Sequence, residues 1–131
     1  MRGQKLFVRP IESADSEAVG KFLESHGGGT VPACGLLGKL VGELVAVVEI
    51  HLTPDAIQID NVVVARDLRR KRIGRFMLGE VERLAAKMDR GRLIVGEPVE
   101  AGEFFRRTGF EREGARWIRY VRSQDAKRTL R

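Results

Sequence analysis

The 131-residue sequence is short of several things that would have set its class at once. It has one cysteine, Cys34, so it cannot hold an internal disulfide framework, and a lone thiol fits a reducing compartment. Its two histidines, His26 and His51, with that single cysteine argue against a zinc site. Aromatic residues make up only 6% of the chain, and neither an aromatic base-stacking platform nor a helix-turn-helix pattern is present, which argues against nucleic acid as the partner. No apolar run approaches the roughly 20 residues of a bilayer span, so no membrane partner is expected. The opening MRGQKLFVRP lacks the apolar stretch and small-residue cleavage site of a secretory signal. The expected location is therefore the cytoplasm.

What is present is an ordinary globular composition, 43% hydrophobic and 32% charged, with a formal charge of +6. One compact domain is the expectation for this length, covering residues 1–122, with 123–131 as a polar tail. The excess of positive charge favours an anionic ligand or surface. Much of it is concentrated in ARDLRRKRIGRFML, which places six basic residues between positions 65 and 75.

The element order follows from periodicity. KLFVRPIE alternates as a first strand, and Ser13 or Asp15 caps a helix whose apolar residues Ala18, Val19, Phe22 and Leu23 share a face and which ends before Gly27. HGGGTVPACG is too rich in glycine to be regular and suits a substrate loop. GLLGKLV, ELVAVVEIHL and AIQIDNVVVA, broken at Gly42-Glu43 and Thr53-Pro54-Asp55, predict an antiparallel meander. From Ile73 the apolar positions Phe76, Met77, Val81, Leu84, Ala85 and Met88 change to helical spacing. Gly91 stops that helix, RLIVGE predicts a fifth strand parallel to the fourth, EAGEFFRRTGF a third helix closed by Gly109, and WIRYV a last strand. The expected order is β-α-β-β-β-α-β-α-β. An exposed last strand could pair across a two-fold axis, which would give a homodimer.

The basic stretch lies where a strand runs through a short turn into a helix. The unpaired N–H groups and positive dipole end of that helix attract anions, and a turn of successive N–H groups can cradle phosphate oxygens. Gly74 removes a side chain from the approach. GxxxxGK[ST] and GxGxxG are both absent, so neither a P-loop nor a Rossmann turn is indicated.

At this point the sequence resembles the GCN5-related N-acetyltransferases, the GNAT family, whose pyrophosphate loop reads Q/R-x-x-G-x-G/A between the fourth strand and the main helix. Arg69-Arg70-Lys71-Arg72-Ile73-Gly74 matches at Arg69 and Gly74, with Arg72 in place of the first glycine. IDNVVV is similar to the strand that pairs with pantetheine, and FFRRTGF to the family's FY-x-x-x-GF. Together with the element order the resemblance spans roughly residues 5–121. It implies a single-domain α/β acyl-CoA N-acyltransferase fold, a mixed and mostly antiparallel sheet in which strands four and five splay apart, flanked by helices. It implies acetyl-CoA as acyl donor, with no metal, and a small amine acceptor. Pantetheine would pair with the backbone of Val62, Val63 and Val64. Its pyrophosphate would sit on the amides of Arg69, Arg70, Lys71, Arg72, Ile73, Gly74 and Arg75.

Direct attack by an amine needs a proton acceptor, a polarised thioester carbonyl and a proton for the thiolate. Asp60 on the fourth strand, on the face of Gln58 and Val62, is the candidate base, a partly buried carboxylate in the place where several small-molecule relatives carry one. The alternative is that it holds a bulge or binds a loop. Glu49 and His51 alternate onto one face of the third strand, and His51 is a second candidate base. A backbone amide near Val62 would polarise the carbonyl, as the resemblance implies. Phe105 stands where many relatives have a proton-donating tyrosine and would pack on pantetheine or the core; the sole tyrosine is Tyr120. His26-Gly-Gly-Gly29 has no G-x-S-x-G elbow to accompany it, which excludes a lipase-type hydrolase. Cys34 reads as a core residue and Trp117 as packing on the last strand. The reading is an acyl-CoA-dependent N-acyltransferase, most simply an acetyltransferase acting on a small molecule or amino acid. The alternative is a non-catalytic acyl-CoA sensor or regulatory partner.

Overall fold

The computed structural model describes residues 6–69, 72–96 and 102–121. In chain order they form β1 (Leu6–Pro10), α1 (Ser16–His26), β2 (Gly35–Leu40), β3 (Glu43–Leu52), β4 (Ala56–Val64), α2 (Ile73–Lys87), β5 (Arg92–Val95), α3 (Gly102–Arg107), β6 (Glu111–Glu113) and β7 (Arg116–Tyr120). The sheet order is β1-β2-β3-β4-β5-β7-β6. β4 and β5 are parallel; β1 with β2, β2 with β3, β5 with β7 and β6 with β7 are antiparallel. Packing groups the chain into two compact units, Met1–Ile50 with Asn61–Glu80, and His51–Asp60 with Val81–Arg131. The chain passes from one to the other inside β3, inside β4 and again inside α2.

In the first unit, β3 breaks the simple alternation of a half-exposed strand. Val45, Ala46, Val47 and Val48 are all buried, the pattern of a strand covered on both faces. From α1, Val19, Phe22 and Leu23 are buried at the expected helical spacing, while Ala18 stays exposed. Gly38 sits at a register shift in β2, and a Cβ there would lie 2.9 Å from Met77 Sδ, so the missing side chain lets α2 approach the strand. Met77, fully buried, contributes about 1.5–3 kcal/mol by its removal from water. The entry to α1 is set by electrostatics: Asp15 accepts two hydrogen bonds from the Arg9 guanidinium, at 2.7 and 2.8 Å, and one from the Glu12 N–H at 2.7 Å. The Arg9 hydrogen bond, more than any other contact, holds the Asp15 carboxyl well below the usual carboxylate range.

In the second unit, the first half of β4 pairs with β5 from Ala56↔Arg92 to Ile59↔Val95. Ala56, Ile94 and Ile118 share one buried cluster. The end of α3 is fastened by Thr108, whose hydroxyl donates to the carbonyls of Phe104 (3.1 Å) and Phe105 (3.0 Å), and by Gly109 at φ 95, which reverses the chain as expected of a helix-ending glycine. Arg119 on β7 donates to Thr108 O at 2.9 Å and to Glu82 Oε1 at 2.5 Å, tying that corner to α2. Trp117 is buried, and a Cβ on Gly102 would lie 3.2 Å from its ring.

Three expectations need correction. β6 is a seventh strand that periodicity does not reveal, because Glu111-Arg112-Glu113 is charged and exposed throughout. Since β6 pairs with β7 over Arg116–Ile118, the last strand is not the outer strand of the sheet, contrary to the expectation on which pairing through it rested. Cys34 is exposed just ahead of β2, not in the core. The predicted tail at 123–131 lies outside the described residues.

Candidate functional site

β5 ends at Val95, its pairing with β4 ends at Ile59, and β4 continues for five more residues. Along that continuation alternation puts Asn61 and Val63 on one face, and Asp60, Val62 and Val64 on the other. The glycine run that follows α1 lies on the first face. A Cβ on Gly27 would come 3.1 Å from Val63 Cγ1, and one on Gly29 would come 3.4 Å from Asn61 Nδ2. A side chain at Gly27 would be a tight contact on Val63, and Gly28 and Gly29 add φ values of 81 and 109, which favour glycine.

The strand ends at Val64; the N–H of Ala65 bonds Val45 O at 2.8 Å, and a 3-10 turn over Arg66–Leu68 follows. The turn is fastened to the end of α1 by two residues. The Arg66 N–H donates to His26 Nδ1 at 3.0 Å. The Arg69 guanidinium donates to the His26 carbonyl at 2.6 Å and to the Val64 carbonyl at 3.1 Å. His26 is the last residue of α1, where carbonyls lack helical partners and a cation is favoured. Arg69 thus braces the turn with its side chain. His26 carried no sequence signal for this role beyond its place before the glycine run, because its partners lie 40 and 43 residues away.

Arg70 and Lys71 lie outside the described residues. Arg72 has φ 65, the left-handed conformation that glycine adopts without cost. Its carbonyl accepts the Phe76 N–H at 3.0 Å, so the helix begins directly from it. Ile73 is 2% exposed and anchors the first turn of α2 in the core. Gly74 is half-buried and Arg75 exposed. The arrangement is a left-handed turn, a buried anchor and a glycine at the N-terminus of a 15-residue helix, with Arg66, Arg69, Arg72 and Arg75 exposed around it. Such a combination can receive an anion on backbone N–H groups.

The candidate chemical groups fall as follows. Val62 and Val64 are half-buried and Val63 is buried. Asp60 is exposed, in contrast to the partial burial expected, and its Oδ1 accepts a hydrogen bond from Gln58 Nε2 at 2.9 Å. Glu49 is half-buried and His51 exposed. Phe105 is 6% exposed in an aromatic cluster, edge-on to Phe104 and Phe110 with centroids 5.1 and 5.3 Å away. The Tyr120 hydroxyl donates to Glu113 at 3.1 Å, and that bond raises its pKa above the ordinary phenol value. Among the described residues no group of three or more His, Cys, Asp or Glu could hold a metal, and no helix is long and apolar enough to cross a membrane.

No curated protein matches the sequence. Among solved structures, the ribosomal-protein-S18-alanine N-acetyltransferase from Escherichia coli superposes with a TM-score of 0.77 at 12% identity, covering 89% of this chain and 94% of that one. N-acetylglutamate synthase from Neisseria gonorrhoeae, complexed with coenzyme A and N-acetyl-glutamate, gives 0.76 at 13% identity over 90% of this chain but 35% of its own, so this chain spans about a third of that protein. A GNAT family acetyltransferase from Elizabethkingia anophelis with acetyl-CoA bound gives 0.64 at 14% identity over 88% and 98%. At these identities the likeness is one of fold. The sequence profile of the acetyltransferase (GNAT) domain matches residues 33–112, a span from the start of the meander to β6 that takes in β4, the left-handed turn and α2. With well over half of its residues in that match, the chain belongs to the GNAT acetyltransferase family.

Proposed function

We propose that the protein is an acetyl-CoA-dependent N-acetyltransferase that acetylates an amine of a small molecule or amino acid. The observation that carries this reading is the passage from β4, extended past its pairing with β5, through the left-handed Arg72 into the N-terminus of α2. Acetyl-CoA would supply an acyl thioester activated for transfer to nitrogen. The residues fit such a donor: the conformation that a phosphate-cradling turn needs is present at Arg72, no side chain projects from Gly74, and exposed arginines surround the turn. The backbone of Val62, Val63 and Val64 would pair with the extended pantetheine arm, and the amides following Arg72 would hold the pyrophosphate. Solved proteins of the same fold that hold coenzyme A or acetyl-CoA support the assignment.

Asp60 is assigned to accept the proton of the attacking amine, directly or through a water. Its exposure leaves it reachable, and Gln58 holds one oxygen in place. Phe105 has no proton to give, and no side chain is assigned to protonating the thiolate. Water can serve there because a thiol is a far better leaving group than an amine. The burial of Phe105 among aromatic rings favours, as a second reading, an acyl-CoA-binding regulatory protein.

A thermal-shift titration with acetyl-CoA, CoA and ATP, followed by thiol release over a panel of amines, decides between them. Ligand at about 100 Kd stabilises by about 2.7 kcal/mol. Acetyl-CoA binding with thiol release supports the enzyme, binding with no release over the panel supports the regulatory protein, and absence of binding removes both.

A further inference from the structure

We infer that His26 is a positioning residue for the 3-10 turn that leads into the coenzyme-binding loop. The inference rests on the acyltransferase reading above and adds to it a residue outside the pyrophosphate loop itself.

Both ends of the 3-10 turn are fastened to this one side chain and its carbonyl. At the start of the turn, His26 Nδ1 accepts the Arg66 N–H at 3.0 Å; just past its end, the His26 carbonyl accepts Arg69 Nη2 at 2.6 Å. The second nitrogen of the Arg69 fork, Nε, reaches the Val64 carbonyl at 3.1 Å, so the brace extends to the last residue of β4. The imidazole is itself seated: its centroid is 4.8 Å from that of Phe22, a 7% exposed core residue. An N–H can donate to Nδ1 only if that nitrogen carries no proton, so the hydrogen bond assigns the ring proton to Nε2. Within the turn, the backbone bond from Leu68 N–H to Ala65 O at 2.9 Å closes the 3-10 loop but does not orient it against the rest of the unit. The Ala65 N–H ties its start to β3, and His26 and Arg69 supply its orientation against α1.

A cradle of backbone N–H groups binds an anion well when its directions are set before the anion arrives, since ordering the loop on binding would subtract from affinity. His26 also begins the glycine run whose Gly27 and Gly29 lie along β4 at Val63 and Asn61. The residue therefore joins that run to the turn and sets the geometry of the turn without touching the coenzyme.

The test uses three variants of the full chain. Asn places Oδ1 three bonds from Cα, as His places Nδ1; Gln puts its acceptor one bond farther; Leu keeps apolar bulk on Phe22 but offers no acceptor. His26→Leu and His26→Gln should weaken CoA binding by about five- to tenfold, the worth of one hydrogen bond, and His26→Asn should restore it to within about twofold. Turnover at saturating acetyl-CoA should stay near wild type in all three, so the defect appears in KM. Exchange of the Arg66 amide, followed by NMR, should accelerate in the Leu and Gln variants and not in Asn. Wild-type CoA affinity in His26→Leu alongside a fast-exchanging Arg66 amide would overturn the inference, as would an equal loss in all three variants. Wild-type protein that binds no CoA would overturn the acyltransferase reading itself, and this inference with it; the wild-type titration tells the two failures apart.

Discussion

Val41 and Arg72 hold nearly the same backbone conformation, φ 51 and φ 65, and neither is a residue that adopts it readily. Val41 lies with Gly42, φ 81, in the two-residue turn that joins β2 to β3, and positive φ at both central residues is the mark of a type I′ turn, which matches the twist of its strands. Val41 is 74% exposed, and a Cβ on Gly42 would meet nothing within 4 Å. Its strain comes from chain reversal alone. Arg72 is also exposed, yet the next residue, Ile73, is locked in the core, and the Arg72 carbonyl accepts the first bond of α2. There the strain sets the direction from which the chain enters the helix, and with it the aim of the first N–H groups. The same dihedral costs stability in one turn and shapes a candidate ligand site in the other.

The two turns should differ most at their glycines. Gly74→Glu should lower CoA affinity by more than about a hundredfold, because it sets a carboxylate and a side chain against the pyrophosphate. Gly42→Glu should destabilise the fold by about 1–2 kcal/mol and leave CoA affinity unchanged. Isothermal titration on both variants checks the pair, and equal CoA affinity in the two would remove the assignment of the second turn.

A smaller effect is expected at the start of the β4 extension. Asp60→Asn should keep acetyl-CoA binding and reduce turnover by about ten- to a hundredfold, most at neutral pH, where an amine needs help losing its proton. Turnover that is unchanged across pH would leave Asp60 as the hydrogen-bonding partner of Gln58 and no more.

Relief of strain should separate the turns again. Val41→Asn should raise stability by about 1–2 kcal/mol, since asparagine tolerates the left-handed region, with no change in CoA affinity. Arg72→Gly should raise stability by about 1 kcal/mol and shift CoA affinity by less than about threefold at physiological salt, where the lost exposed charge is screened over about 8 Å. A tenfold loss of affinity would mean that the Arg72 guanidinium itself holds a phosphate. Urea melts and CoA titrations on the two variants distinguish these results.

The smallest effect on binding belongs to a residue in neither turn. Asp15→Asn should lower stability at pH 7 without altering the affinity of the folded protein for CoA. The Asp15 pKa is depressed by Arg9, so its contribution is present above the ordinary value of 3.8 and is lost as pH falls below it toward the folded-state value. Urea melts at pH 7 and pH 3 should therefore show wild type and variant converging at the lower pH. A constant difference would assign the effect to packing.

Much of the fold was legible because its signals are local. The helical spacing of Val19, Phe22 and Leu23, the breaks at Gly42 and Pro54, and the glycine that closes α3 each act within a few residues of themselves. β6 was not legible, since Glu111-Arg112-Glu113 has no apolar alternation and exists as a strand because the Gly114 turn folds it onto β7. Cys34 looked like a core residue by type but falls one position before β2, where the chain is exposed. At the site, Gly74 and the basic turn were legible as a motif, and Arg72 stood out as a departure from it. The brace was not: a guanidinium next to a phosphate motif reads as an anion ligand until its direction is known, and Arg69 points at two carbonyls.

Sequence alone determined the order of the elements through α3, the place of the strand-turn-helix passage and the family, because periodicity, turn chemistry and short motifs are written over adjacent residues. Tertiary structure decided that Arg69 braces the backbone, that β4 outruns its partner, that Asp60 is exposed, and that His26 belongs to the turn. Those outcomes depend on where residues about 40 positions apart meet and on which direction a side chain takes when they do, and no local pattern carries that information.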